Sequence, residues 1–290
     1  MMSPRSFARA LVAFSLTMTA ASGALAQAIA EPPTTEKPTA EKPKEFTPTV
    51  GQEGKDVIWV PTAQALVDRM LDLAKVTPQD TVIDLGSGDG RTVITAAKRG
   101  AKAFGIEYNP DMVELSRRNA AQEGVGDKVT FTKADLFETD LSGATVITMF
   151  LLPEINLKLR PKILDLRPGT RIVSNSFNMG DWEPDETAEA RDGCTSYCKA
   201  YFWMVPAKVD GAWRTQAGDL VLEQKYQTFS GTLKSKGGVT KVTGGKLVGD
   251  QITFTAGGTQ YAGRVNGSSI EGTSKSAGKE AKWQATAAGR

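Results

Sequence analysis

The stretch that decides the fold of this chain reads Asp84-Leu85-Gly86-Ser87-Gly88-Asp89-Gly90-Arg91. An apolar run over residues 81–83 precedes it, and a helix-like run over 92–99 follows it. A strand, a glycine-rich turn and a helix in this order let a ligand approach the backbone of an α/β protein. Glycine suits the turn because it tolerates positive φ and has no side chain in the way. An ordinary glycine-rich turn is the alternative interpretation.

The spacing of the glycines separates this turn from a dinucleotide-binding one. A dinucleotide fingerprint reads G-x-G-x-x-G, whereas Gly86, Gly88 and Gly90 bring the third glycine one position early. Asp84 lies two residues before the first glycine. A carboxylate there would repel a pyrophosphate but suits a ligand that carries an ammonium and a sulfonium. The turn, with Ser87 inside it, therefore favours S-adenosylmethionine (SAM) as its ligand.

Two further acids follow the next predicted strands. Glu107 lies 21 positions after the first glycine, a spacing that suits a carboxylate accepting both ribose hydroxyls, and Tyr108 follows it. Asp135 is placed to accept from the adenine amino group, with Leu136 packed on the ring. Each acid also has a plainer interpretation, Glu107 as a solvated strand-end acid and Asp135 as the cap of a turn.

Helical and strand patterns alternate through the middle of the chain. Apolar spacing predicts helices over 62–76, 92–99, 110–121 and 153–166, and strands over 81–83, 102–106, 129–131, 144–150 and 170–174. After a turn at 182–185, residues 200–205 are expected to form the second arm of a closing hairpin. The alternation predicts a doubly wound, Rossmann-like and mainly parallel sheet with an antiparallel end.

These stretches resemble the class I SAM-dependent methyltransferases, and more narrowly the family that includes the ATP synthase c-subunit lysine methyltransferase. The matching residues are 59–62, 84–91, 105–107, 150–156, 169–174 and 181–184. The resemblance implies methyl transfer from SAM, with lysine amines as the acceptors of some members. The acceptor of this chain is then an unidentified protein or small molecule. The alternative is an exported protein that binds a SAM-like ligand without turnover.

Candidates for the acceptor side follow the fourth predicted strand. Glu154 is the candidate general base for an amine acceptor, and an ordinary acid in the first turn of a helix is the alternative. Asn156 shares the catalytic assignment. The other residues expected to line or cover the acceptor site are Asn175, Trp182, Trp59 and Thr62. Of these, Trp59 and Thr62 are expected to form a lid over the methionine end, unless Trp59 only packs under the first helix.

Composition excludes several kinds of chemistry. The chain has no histidine and two cysteines, which excludes Ser-His-Asp and Cys-His catalysis and zinc sites built on histidine or on many cysteines. A net charge of +2 argues against a nucleic-acid partner. Cys194 and Cys198 do not form a C-x-x-C motif, and in an exported protein they are expected to pair in a disulfide at a hairpin tip. Buried free thiols are the alternative.

The N-terminal residues read as a secretory signal over 1–26. Arg5 and Arg9 precede an apolar run of small residues that ends in Ala24-Leu25-Ala26, a small-x-small cleavage site. This predicts export, to the periplasm of a bacterium, and removal of the two arginines would take the net charge from +2 to zero. The apolar run is too weak for a stable membrane span, although an uncleaved inner-membrane anchor is the alternative.

Composition divides the rest of the chain into three parts. Residues 27–50 hold five prolines among polar residues and are expected to form a disordered linker. Residues 51–205 form the predicted methyltransferase domain. Residues 206–290 are predicted to form a small antiparallel β domain, with strands over 220–224, 226–233, 251–255, 261–265 and 268–273.

Overall fold

The first part of the fold is an α/β domain, seen in a computed structural model that describes residues 45–289. The predicted signal peptide and most of the predicted linker, residues 1–44, lie outside the described residues. The helices are α1 Gln64–Leu73, α2 Arg91–Lys98, α3 Pro110–Gln122 and α4 Pro153–Leu164. The strands are β1 Thr81–Leu85, β2 Lys102–Glu107, β3 Val129–Lys133, β4 Val146–Met149, β5 Arg171–Asn175, β6 Glu186–Glu189 and β7 Lys199–Met204.

These strands form one twisted sheet in the order β3-β2-β1-β4-β5-β7-β6. All neighbours from β3 to β5 pair in parallel, whereas β7 pairs antiparallel with both β5 and β6. The structure thus confirms the predicted doubly wound sheet with an antiparallel end. Because strands β1, β2 and β4 are parallel, their carboxyl ends meet at one edge, where ligands of open α/β sheets bind.

Both faces of the sheet are covered, which explains why its strands read as continuous apolar runs. Successive side chains of a strand point to opposite faces. In β1 and β4, Val82 and Val146 pack with α1, α2 and α3, while Ile83 and Ile147 pack with α4 on the other face. The sheet is therefore the middle layer of three.

The rest of the described chain is a closed barrel of eight antiparallel strands. They are β8 Gly211–Thr215, β9 Gly218–Lys225, β10 Thr228–Ser235, β11 Gly238–Val248, β12 Gln251–Ala256, β13 Thr259–Asn266, β14 Ser269–Ser276 and β15 Lys279–Ala287. The predicted antiparallel β domain is confirmed, but the sequence missed β8, β11 and β15. Inward-facing apolar residues fill the barrel, among them Trp213, Phe254 and Trp283, so its interior is a packed core.

The barrel packs against the amino-terminal edge of the sheet, away from the edge where the carboxyl ends of the strands meet. Backbone N–H of Ala207 donates to Gly249 O (2.8 Å), and a Cβ on Gly249 would lie 3.0 Å from Cα of Gly169, just before β5. On the adjoining side, Tyr226 stacks on Trp182 with centroids 5.8 Å apart. The barrel therefore leaves the carboxyl edge of the sheet open.

Among residues 45–289, no helix has both the length and the apolar character that crossing a membrane requires.

Candidate active site

A deep pocket opens where the carboxyl ends of β1, β2 and β4 meet. It has about 1080 Å³ of open space, including the part that meets solvent. Of the predicted cofactor and lid residues, the structure brings ten to its wall: Asp84, Gly86, Ser87, Gly88, Glu107, Tyr108, Asp135, Leu136, Trp59 and Thr62. Apolar residues such as Ile106, Met112 and Met149 complete the lining.

The glycine turn has the backbone that its sequence predicts. Gly86, Gly88 and Gly90 all have positive φ, at 74°, 54° and 84°, where side chains are rarely tolerated. A Cβ on Gly88 would lie 2.7 Å from Nε1 of Trp59. Gly90 lies just outside the pocket, and its role is packing, because a Cβ there would lie 2.7 Å from Cβ of Ser116 on α3.

Asp84 is a buried carboxyl at the end of β1. Its Oδ1 accepts a hydrogen bond from Thr148 Oγ1 (2.6 Å). Burial raises the pKa of Asp84 to about 7, and the nearby charges of Asp89 and Glu107 push it in the same direction, against the hydrogen bond from Thr148. A buried carboxyl with a raised pKa is poised to receive a cation, whose charge would favour the ionised form.

Glu107 ties the glycine turn to the second strand. Its Oε2 accepts from backbone N–H of Gly88 and its Oε1 from backbone N–H of Asn109, both at 2.9 Å. A carboxylate has further acceptor sites beyond these two bonds. Glu107 is therefore held in a fixed orientation at the pocket wall and can still accept from vicinal hydroxyls.

A short N-terminal hairpin, residues 51–59, covers one side of the pocket. Backbone N–H of Gly51 donates to Trp59 O (2.8 Å), and that of Trp59 donates to Gln52 O (2.9 Å). From this hairpin Lys55 reaches Asp135, with Nζ 2.5 Å from Oδ2. The hydrogen bond from Lys55, together with that from backbone N–H of Phe137, lowers the pKa of Asp135. Lys55 also lies over the ring of Tyr108, 4.6 Å from its centroid.

The predicted acceptor-side residues are mostly outside the pocket. Glu154 is exposed in the first turn of α4 and lines neither this pocket nor the adjoining one, whereas its neighbour Ile155 lines the first. Asn156 is fully buried, and its amide donates to Phe177 O (3.3 Å) and Asn178 O (3.2 Å). Neither residue lines a pocket of the described chain, and their assignment to the acceptor side stays a prediction.

Asn175 and Trp182 are also fully buried and line neither pocket. Asn175 Nδ2 donates to Thr62 Oγ1 (3.1 Å) and so supports a residue of the pocket wall from behind. Trp182 packs between Trp203, on β7 of the sheet, and Tyr226, in the turn after β9 of the barrel. The predicted acceptor-site Trp182 thus belongs to the contact between the sheet and the barrel.

The sequence interpretation missed the acidic residues of the hairpin. Glu53 and Asp56 line the cofactor pocket and the adjoining one. The glycines at 51 and 54 were the only local signal of a turn in this segment.

Cys194 and Cys198 are joined in a disulfide, with Cα atoms 5.8 Å apart, in the loop between β6 and β7.

The residues of the pocket fit SAM by their chemistry. Asp84 suits the ammonium, Glu107 suits the ribose hydroxyls, and Asp135 with Leu136 suits the adenine. The glycines of the turn have positive φ and no side chain, so they leave room for the ligand beside the backbone. The sheet order, the glycine turn and the three strand-end carboxylates together define a class I SAM-dependent methyltransferase.

Comparison with known proteins agrees with this class. The ANTKMT methyltransferase domain model matches residues 84–186. A protein-lysine N-methyltransferase of Saccharolobus islandicus is 45% identical over 140 residues, which cover 47% of this chain and 87% of that protein. The human ATP synthase c-subunit lysine N-methyltransferase is 32% identical over 146 residues, which cover 50% of this chain and 62% of that protein. The chain therefore belongs to the methyltransferase family that includes these two lysine N-methyltransferases, as the resemblance predicted.

A crystal structure described as an RNA methyltransferase from Salinibacter ruber in complex with S-adenosyl-L-homocysteine is 49% identical. It covers 52% of this chain and 96% of that one, with a TM-score of 0.49. The matches to the two relatives and to this structure each cover about half of the chain.

Proposed function

We propose that this protein transfers a methyl group from SAM to the side-chain amine of a lysine in a protein. One observation carries the proposal: Asp84, Glu107 and Asp135 surround a single pocket in a domain that is 45% identical to a protein-lysine N-methyltransferase. A set of pocket acids this complete supports an enzyme rather than a protein that binds a SAM-like ligand without turnover.

SAM supplies an electrophilic methyl group on a sulfonium. The protein's residues bind and orient the ligand and exclude water, and such alignment contributes up to about 7–11 kcal/mol to catalysis. Trp59 closes over the glycine turn at Gly88, which shields this side of the pocket from solvent. The side of the pocket formed by Phe150 and Leu151 opens toward the adjoining pocket and offers a route for the acceptor.

A lysine amine must lose its proton before it can accept a methyl group. Lowering its pKa from about 10.4 to near 7 requires about 4–5 kcal/mol of differential interaction. The buried apolar side chains of Met149 and Leu151, in the wall of the cofactor pocket, favour the neutral amine by desolvation once it reaches the methyl group. Glu53 and Asp56, at the mouth of the pocket, are better placed than Glu154 to pass the proton to water.

The test begins with calorimetric titration of the protein with SAM and with S-adenosylhomocysteine. Radiolabelled methyl transfer to a bacterial protein extract follows, with acid hydrolysis to identify the labelled amino acid. At a SAM concentration near the dissociation constant of the native protein, we expect methylated lysine with the native protein and much less with the Asp84→Asn variant. SAM binding without label in lysine, or label that enters RNA instead, would contradict the proposal.

We also propose that the protein acts outside the cytoplasm, in the periplasm of a bacterium. The signal-like composition of residues 1–26 supports this location, and so does the Cys194–Cys198 disulfide, because disulfides persist in oxidising compartments. Cell fractionation with mass spectrometry of the mature N terminus tests the proposal, which requires protein beginning near Gln27 in the periplasmic fraction.

A further inference from the structure

A second pocket adjoins the cofactor pocket. It has about 1050 Å³ of open space, again including the part that meets solvent. The two pockets share Phe150, Leu151 and much of the N-terminal hairpin. A group held in the second pocket at Phe150 therefore borders the space that the cofactor residues surround, and no residue of this pocket is used in binding the cofactor's ammonium or ribose.

Three aromatic rings form one wall of the second pocket. The rings of Phe150, Phe177 and Tyr197 contact one another, with centroids 6.0, 5.2 and 6.1 Å apart for Phe150–Phe177, Phe150–Tyr197 and Phe177–Tyr197. We call these three rings the aromatic platform. Tyr197 is 46% exposed, so the platform presents π surface to the open space. Such surface attracts organic cations.

Two of the rings are positioned by backbone conformations that are unfavourable for residues other than glycine. Tyr197 itself has φ 55°, and Ser176, directly before Phe177, has φ 58°. Left-handed conformations are unfavourable for residues other than glycine and tend to occur at functional sites. The Cys194–Cys198 disulfide closes the loop that carries Tyr197. The loop is thereby constrained to present this ring.

The N-terminal hairpin adds acidic residues to the lining of the second pocket. Glu53, Lys55 and Asp56 line it, which gives two carboxylates against one ammonium. Lys55 is engaged by Asp135, with Nζ 2.5 Å from Oδ2, and lies farther from Asp56, at 3.7 Å. The pocket thus combines aromatic faces with excess negative charge, the two features that attract an alkylammonium group. Leu151 and Leu152 add apolar surface for an aliphatic stem.

We propose that the aromatic platform is the binding site for the side chain of the acceptor lysine, with its stem on Leu152 and its ammonium against the rings. This inference rests on the proposed lysine acceptor and adds the place where that lysine binds. Tyr197 is a specificity-determining residue in this arrangement, because it is the most exposed of the three rings. The same platform would hold a methylated lysine between successive transfers.

A pair of isosteric probes tests the site without turnover. Nα-acetyl-Nε-trimethyl-lysine methylamide carries a permanent cation, and its analogue with carbon in place of the quaternary nitrogen is neutral with the same shape. Both are titrated by NMR into the full protein saturated with S-adenosylhomocysteine. We expect the cation to bind about 2- to 30-fold more tightly than the neutral analogue, the preference that cation–π contacts support.

Variants of the disulfide loop locate the site. Tyr197→Ala should weaken the preference for the cation and Tyr197→Phe should keep it, while Ser196→Ala, in the same loop but without a ring, serves as the control. Equal binding of the two probes to the native protein, no binding of either, or an unchanged preference in Tyr197→Ala would overturn the inference.

A transfer assay separates this inference from the proposed function. With a lysine substrate, Tyr197→Ala should raise KM with little change in kcat or in the dissociation constant for SAM. Lysine methylation that is indifferent to Tyr197→Ala would refute the site and leave the function standing. Cation-selective binding in a protein that methylates no lysine would refute the function and leave a cation site standing.

Discussion

Replacing Asp84 by asparagine should abolish tight cofactor binding and, in the same protein, stabilise the ligand-free fold at pH 8. Asparagine keeps an acceptor for the hydrogen bond from Thr148 but never carries charge. Loss of a hydrogen bond to a charged group costs about 1.5–3 kcal/mol, or about 10- to 150-fold in affinity for SAM. The gain in stability has a separate origin, which is the burial of the carboxylate.

The size of this gain follows from the pKa of Asp84. Burial raises that pKa from 3.8 to about 7. This is a shift of about three units at about 1.36 kcal/mol each, or about 4 kcal/mol in total. Because the native state binds the proton more tightly than the unfolded chain, native stability falls as pH rises from about 4 to about 7. The advantage of Asp84→Asn should therefore grow from about 2 kcal/mol at pH 5 to about 4 kcal/mol at pH 8.

Urea unfolding of both proteins at pH 5 and pH 8, without ligand, measures the effect. Asp80 provides the control, because it is also buried and directly precedes β1. Burial alone would raise the pKa of Asp80, but hydrogen bonds from Thr145, Thr77 and Arg171 lower it overall. Asp80→Asn should then be destabilised by nearly the same amount at pH 5 and at pH 8, because both lie above the pKa of about 3.8 that the carboxyl has in the unfolded chain. An Asp84→Asn protein that is no more stable than the native one at pH 8, or that binds SAM normally, would refute the reasoning.

Three other variants test the remaining assignments. Glu107→Ala should lose about 1.5–3 kcal/mol of SAM binding, because charged hydrogen bonds are lost, and calorimetry that finds unchanged affinity would remove the ribose assignment. Glu154→Gln should keep kcat within about twofold, since Glu154 is exposed and away from both pockets; a loss of about 10²–10⁴ would restore it as the general base. Lys55→Gln should tighten SAM binding by less than about fivefold, because it frees Asp135 from an exposed ion pair, and weaker binding would show that Lys55 contacts the ligand.

The cofactor side of the site could be predicted from the sequence because its signals are local. The strand, glycine turn and helix at 81–98 lie within 18 consecutive residues, and the acids mark strand ends. Since parallel strands place their carboxyl ends at one edge, the spacing of Asp84, Glu107 and Asp135 along the chain was enough to bring them together.

The acceptor side could not be predicted in this way, because it depends on long-range packing and helix phase. Lys55 meets Asp135 across 80 residues of sequence, and no local pattern marks such a pair. Glu154 and Ile155 are neighbours in the first turn of α4, yet only Ile155 faces the pocket. Asn156 was predicted beside the acceptor but packs into the protein interior.

The missed barrel strands have a different explanation. In β15 only Trp283 and Ala285 are buried, so the apolar alternation that marks a strand is short. In β11 the register shifts between Thr243 and Lys246, at a glycine pair, and a bulge interrupts the period of two. These polar segments form strands because the neighbouring strands of the closed barrel provide partners for their backbone hydrogen bonds.

The pairing of the last barrel strand with the first has a practical consequence. Thr286 lies opposite Arg214, and backbone N–H of Ala288 donates to Ala212 O (2.8 Å), so the polypeptide enters and leaves the barrel at neighbouring points. A domain with adjacent ends can be inserted into a surface loop of another protein, or circularly permuted, without stretching either partner. The positions of its two ends therefore suit the barrel to insertion into a loop of another protein.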